Sequence, residues 1–195
     1  MKVGKLLLAV ASAAVLLGAF VSSASARNLS VIEQRVTALW TRVNLSGGFG
    51  TVECEVKLSR SFHTRTFTKT VNSLVGYITE GTVLRCSRGS ATINQASLPV
   101  HLKYRSFNGT LPNITGQNEL GIGLEWTVRE PTFGVTCTVR RETSSLILGY
   151  TVSGGTITSS TLSGESPCGS FTGRLEGSTT NVSNGAGSRI TILLI

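Results

Sequence analysis

The chain has 195 residues, with 18 lysines and arginines against 10 acidic residues, a net charge of +8 and no aspartate anywhere. That composition leaves no Asp dyad, no Asp-rich calcium loop and no Asp member of a Ser-His-Asp triad. The two histidines, His63 and His101, lie outside any H-E-x-x-H spacing, and no G-x-S-x-G elbow, P-loop or dinucleotide fingerprint is present, so no metal and no cofactor is expected.

At the start of the chain, Lys2 and Lys5 precede an apolar run from Leu6 to Val21, broken only by Ser12, and then Ala24-Ser25-Ala26. These are the three parts of a secretory signal, with small residues where a peptidase must fit the extended chain. The run is about 16 residues, short of the roughly 20 that a bilayer core requires, which predicts cleavage after Ala26 rather than a retained anchor. The expected organisation is a signal peptide over 1–26 and one secreted domain over 27–195, with no transmembrane segment of its own. Removing Lys2 and Lys5 leaves 16 basic residues against 10 acidic ones, a net charge of +6, and 13 of the 16 are arginine. An excess of that size favours contact with anionic surfaces, such as a cell-envelope polymer or another polyanion.

The segment 30–43 fits two patterns. Ser30 with Glu33 makes a capping box ahead of a helical stripe through Ile32, Val36 and Val43. Val36, Ala38 and Trp40 instead alternate as a strand running into Ser46-Gly47-Gly48-Phe49-Gly50, a hairpin partner for 51–58, and the strand is the preferred reading. Alternation then dominates: Val52, Cys54, Val56 and Leu58; Val100, Leu102 and Tyr104; Leu120, Ile122, Leu124, Trp126 and Val128; Val135, Cys137 and Val139; Ile190, Ile192 and Leu194. Each set is separated by polar or small residues, the mark of antiparallel strands buried on one side. Turn signals at Asn108-Gly109, Ser153-Gly154-Gly155 and Asn184-Gly185-Ala186-Gly187 punctuate the runs. The fold class that follows is all-β, an antiparallel β-sandwich or β-barrel in a single domain.

Cys54, Cys86, Cys137 and Cys168 form an even set in an exported chain, which predicts two disulfides. Their spacing is too wide for a zinc site. Of the three possible connectivities, Cys54 with Cys86 and Cys137 with Cys168 is favoured because the two loops are then alike in size. Residues 52–57 also echo 135–140, and each is followed by a Gly-Tyr pair, at 76–77 and 149–150, which suggests a distant duplication or two similar strands.

The candidate binding residues are basic. In Val100 to Arg105 the bases His101, Lys103 and Arg105 alternate with inward apolar residues, so all three point outward together. Arg65 and Lys69, with Lys57, Arg60 and His63, thicken the positive region. This face suits phosphate or carboxylate groups on a partner, although charged strand faces also keep an exported sheet from pairing with itself. Aromatic residues do not interleave with the bases in sequence, so a nucleic-acid platform is not expected. Two other readings compete. A carrier would hold an apolar ligand in a barrel mouth lined by Trp126, Tyr104 and Phe107. A glycan hydrolase would use Glu53 and Glu55, two apart on one strand face, or Glu55 with Glu125 from separate strands.

The stretches VECEVKLSRSFHTRT, GYITEGTVLRC, SFNGTLPNITG and RITILLI together resemble a group of small secreted, four-cysteine, all-β proteins of high-GC Gram-positive soil bacteria that carry no assigned activity. The resemblance implies export and a β fold and transfers no functional residue. The sequence therefore points to a non-enzymatic extracellular β protein, envelope-associated or anion-binding through the basic face, with carrier and hydrolase as the alternatives. Its oligomeric state is not written in these patterns.

Overall fold

The computed structural model describes residues 28–48, 50–120, 124–132, 134–139, 145–168 and 171–194. The expected signal peptide lies outside them, as does Ile122 of the run expected from Leu120 to Val128, which is not one strand: Leu120 ends the strand Asn113–Leu120 and Trp126 begins the strand Trp126–Glu130, in a different sheet. Among the described residues the chain is almost entirely antiparallel β, with a single 3₁₀ turn at Gln95–Ser97 and no α-helix. The capping-box alternative at Ser30 is thus not taken. That segment divides instead into β1 (Asn28–Val31) and β2 (Arg35–Gly47), and β2 turns into β3 (Gly50–Phe62) as the glycine-rich sequence requires.

The remaining strands are β4 (Thr66–Thr68), β5 (Leu74–Cys86), β6 (Ser90–Ile93), β7 (Val100–Thr110), β8 (Asn113–Leu120), β9 (Trp126–Glu130), β10 (Val135–Val139), β11 (Ser145–Ser153), β12 (Thr156–Cys168), β13 (Phe171–Thr179), β14 (Val182–Ser183) and β15 (Ile192–Leu194). The largest sheet runs β2-β3-β5-β7-β8-β11-β12-β13, and β13 pairs back onto β2 through Gly177↔Val43 to Arg174↔Ser46. This second pairing closes the sheet, so the eight strands form a barrel and the sandwich alternative falls away. Farther along the same edge of β2, β14 pairs with Ala38 and Thr37. Closure needs sharp local bends, and they are supplied by register shifts in β2/β3, β3/β5, β5/β7, β7/β8 and β11/β12.

The bulge between Trp40 and Val43 shows how sequence and closure meet. It inserts Thr41 and Arg42, so that Val36, Ala38, Trp40, Val43 and Leu45 all face inward despite a break in strict alternation. The β11–β12 hairpin is the two-residue turn its Gly-Gly predicts: Ser153 pairs with Thr156, while Gly154 and Gly155 both take positive φ, at 60° and 77°. At Asn108-Gly109 the outcome differs from expectation. Gly109 does take positive φ, but β7 continues to Thr110 and the chain reverses at Leu111-Pro112.

Two three-stranded sheets complete the core. In β6-β9-β10, Ile93, Trp126, Val128 and Cys137 join the apolar cluster that fills the barrel. In β4-β1-β15, Leu29, Val31, Phe67 and Ile192 join it too, and Phe67 stacks on Phe62 at 5.5 Å between ring centroids. The favoured disulfide pairing is the one formed. Cys54–Cys86 links register partners on β3 and β5, and Cys137–Cys168 fastens β10 to the end of β12. The echo between 52–57 and 135–140 has no architectural counterpart, because β3 belongs to the barrel and β10 to a separate sheet.

Candidate functional site

The outer surface of the barrel carries a cross-strand row that no single segment of sequence displays. Arg35 on β2 pairs with Ser61 on β3, Ser61 pairs with Tyr77 on β5, and Tyr77 pairs with His101 on β7. Register partners project from the same face, so these four side chains form a line across four strands. The Tyr77 ring is packed edge-on between both histidines of the chain, 5.0 Å from His101 and 5.8 Å from His63 by ring centroids. Strand pairing thus sets one aromatic ring, Tyr77, between His63 and His101, which the sequence keeps apart.

The expected basic residues fall into three positions. His101, Lys103 and Arg105 are exposed on β7, and Arg105 sits at the bulge between Tyr104 and Ser106. Lys69, in the loop after β4, reaches a point farther along β7, its Nζ 4.8 Å over the Phe107 ring. The loop that carries Lys69 is tied there by hydrogen bonds from the Asn72 N–H to the Tyr104 carbonyl and from the Tyr104 N–H to the Ser73 carbonyl. Arg65 is exposed in the turn between β3 and β4, where its carbonyl accepts from the Val31 N–H. Arg60, grouped with the surface bases from sequence, turns inward instead. It continues the parity of Val52, Cys54, Val56 and Leu58, and the structure obeys that parity rather than the charge.

Beside the row is a groove of about 380 Å³ whose lining includes Arg35, Thr37, Ser59, Ser61, Thr79 and Glu80, along with Val36, Arg60 and Gly185. That is room for about one sugar-sized unit. The groove offers hydroxyls from three strands, the Arg35 guanidinium and the Glu80 carboxylate, and Thr37 and Ser59 are hydrogen-bonded to each other at 3.3 Å. Sequence reasoning passed over Arg35, Tyr77 and these hydroxyls. Ser59, Ser61 and His63 do share the outward parity of Glu53, Glu55 and Lys57, which is the one local sign of them.

The carboxylates considered for hydrolysis are occupied otherwise. Glu55 accepts from Arg85 Nε at 2.6 Å, and Glu53 pairs with Arg42 at 3.4 Å. Glu125 accepts from the Asn94 side chain at 3.0 Å. The carrier residues are core residues: Trp126 is fully buried, Tyr104 nearly so, and Phe107 is half-buried beneath Lys69. An eight-stranded barrel is just wide enough to be filled by side chains or to hold one small ligand, and among the described residues the space between β2, β3, β5, β11 and β12 measures about 10 Å³.

The barrel interior also holds a polar cluster. Arg60 is 6% exposed, with its guanidinium carbon 4.9 Å from the Phe62 ring centroid and 5.7 Å from that of Tyr150. Loss of solvent lowers the Arg60 pKa to about 10, so it stays cationic at neutral pH, and raises that of Tyr150 to about 12. Tyr104 is shifted upward for the same reason. Ser160 donates to the Gly149 carbonyl at 2.8 Å.

No protein family, curated protein or solved structure matches the chain. Among the described residues no helix is long and apolar enough to cross a membrane, and no group of three or more His, Cys, Asp or Glu residues is placed to hold a metal.

Proposed function

We propose that this is an extracellular, non-enzymatic binding protein whose outer barrel face engages an anionic glycan of the cell envelope, a chain of sugar or polyol units bearing phosphate or carboxylate groups. The row Arg35–Ser61–Tyr77–His101, with the hydroxyl-lined groove beside it, is the observation that carries the reading. Each part matches one feature of such a polymer. Tyr77 presents a half-exposed ring for a sugar face, the groove presents hydroxyls, and His101, Lys103 and Arg105 supply positive charge along the adjoining strand. The two disulfides support an oxidising location outside the cytoplasm.

Retention on immobilised polymers tests it. The protein is expected to bind an anionic glycan more tightly than either a neutral glucan or inorganic polyphosphate. Tyr77→Ala should reduce glycan retention at least fivefold while leaving the weaker polyphosphate retention nearly unchanged. Equal retention of wild type and Tyr77→Ala on the anionic glycan would remove the sugar-binding role of the row.

A further inference from the structure

Where β2, β3, β5, β11, β12 and β14 meet, the barrel leaves a cavity of about 10 Å³, bounded by Trp40, Arg60 and Ser160 among aliphatic side chains that include Val36, Leu58 and Leu148. Its size admits a single small sphere and nothing elongated. The polar groups of its walls are unequal in kind. Arg60 Nε and Nη1 and Trp40 Nε1 are buried N–H donors without a hydrogen-bond partner among the described residues. Ser160 already spends its proton on the Gly149 carbonyl and offers only a lone pair. No carboxylate is among the described residues that line the cavity.

A guanidinium taken out of water and left without a counter-charge is strongly unfavourable. A water molecule relieves this poorly. It must donate two hydrogen bonds as well as accept, and of the polar side chains in these walls only the Ser160 hydroxyl is an acceptor. An ion that only accepts suits walls that mostly donate, and an ion of one atom suits the volume. Carboxylates, sulfate and phosphate are too large. We infer that the barrel core binds a single monatomic anion, chloride under ordinary conditions, between the Arg60 guanidinium and the Trp40 indole N–H. The ion serves as the internal counter-charge of Arg60, separate from the outer basic face, and it is enclosed as the barrel closes.

Two measurements on the unaltered protein test this. Crystals grown with bromide in place of chloride should show one anomalous peak in the cavity beside Arg60. The thermal midpoint at fixed ionic strength should rise as chloride replaces gluconate, which is too large to enter, by about 3 to 6 °C once chloride is about tenfold above its dissociation constant. Arg60→Met should abolish the chloride dependence. If that variant fails to fold, the wild-type measurements decide alone. A cavity without an anomalous peak, its density that of water, or equal midpoints in chloride and gluconate, overturns the inference.

Discussion

Replacing Gly116 with alanine offers a strict test of how the barrel interior is packed. Gly116 lies on the inner face of β8, opposite Tyr150 of β11. A Cβ built there falls 2.1 Å from Tyr150 Cζ and 2.3 Å from its hydroxyl oxygen, where ordinary contact begins near 3.4 Å. The ring must therefore retreat by more than an ångström, yet it is 4% exposed and has the Arg60 guanidinium nearby. Overpacking of this kind costs about 3 kcal/mol, near the top of the usual range because the obstacle is a rigid buried ring. For a domain of this size that lowers the melting temperature by about 6 to 12 °C. Urea denaturation of a double-mutant cycle isolates the cause. Tyr150→Ala alone should cost about 3 to 5 kcal/mol, but in that background Gly116→Ala should be nearly neutral, leaving a coupling of about 3 kcal/mol. If Gly116→Ala costs the same with and without the Tyr150 ring, the close packing described here is wrong.

Removing a disulfide frees a loop of 31 or 32 residues, and the chain-entropy relation assigns about 3.5 to 4 kcal/mol to each. The two losses should differ in kind when followed by hydrogen exchange. Without Cys54–Cys86 the paired β3 and β5 are expected to lose protection only with the whole barrel, whereas without Cys137–Cys168 the β9–β10 amides should exchange earlier. Alkaline pH is a third probe. Folding favours the neutral phenol of Tyr150, so its contribution is fully present below pH 10 and is lost as pH rises towards about 12. The slope approaches 1.4 kcal/mol per pH unit at most. Tyr150→Phe should remove that part of the decline when unfolding free energy is measured between pH 10 and 12, and an unchanged decline would assign it to other groups.

The strands were legible because burial on one face imposes period two. The inward sets of β3 and β7 follow it, β2 follows it as far as Trp40, and the four cysteines suggest the pairing through two loops of nearly equal size. Closure was not legible, since it rests on four residue pairs between β13 and β2, more than 120 residues apart in sequence, and on bulges that depend on tertiary fit. The candidate site was half legible for the same reason. His101, Lys103 and Arg105 share one strand and announce themselves, but the Arg35–Ser61–Tyr77–His101 row draws one residue from each of four strands and exists only through their registers. Arg60 illustrates the opposite error. Its charge suggested the surface, while its place in the alternation after Leu58 already assigned it to the core.

The dependence of binding on salt tests the outer-face reading most directly. Retention on an anionic glycan, measured from about 50 to 200 mM salt, should fall along a line in log–log form, as counterion release requires. A variant with His101→Gln, Lys103→Gln and Arg105→Gln should bind more weakly at low salt, with a slope shallower by about two to three. An identical slope for the variant and the parent would mean that these three side chains do not meet the polymer, and would contradict the account.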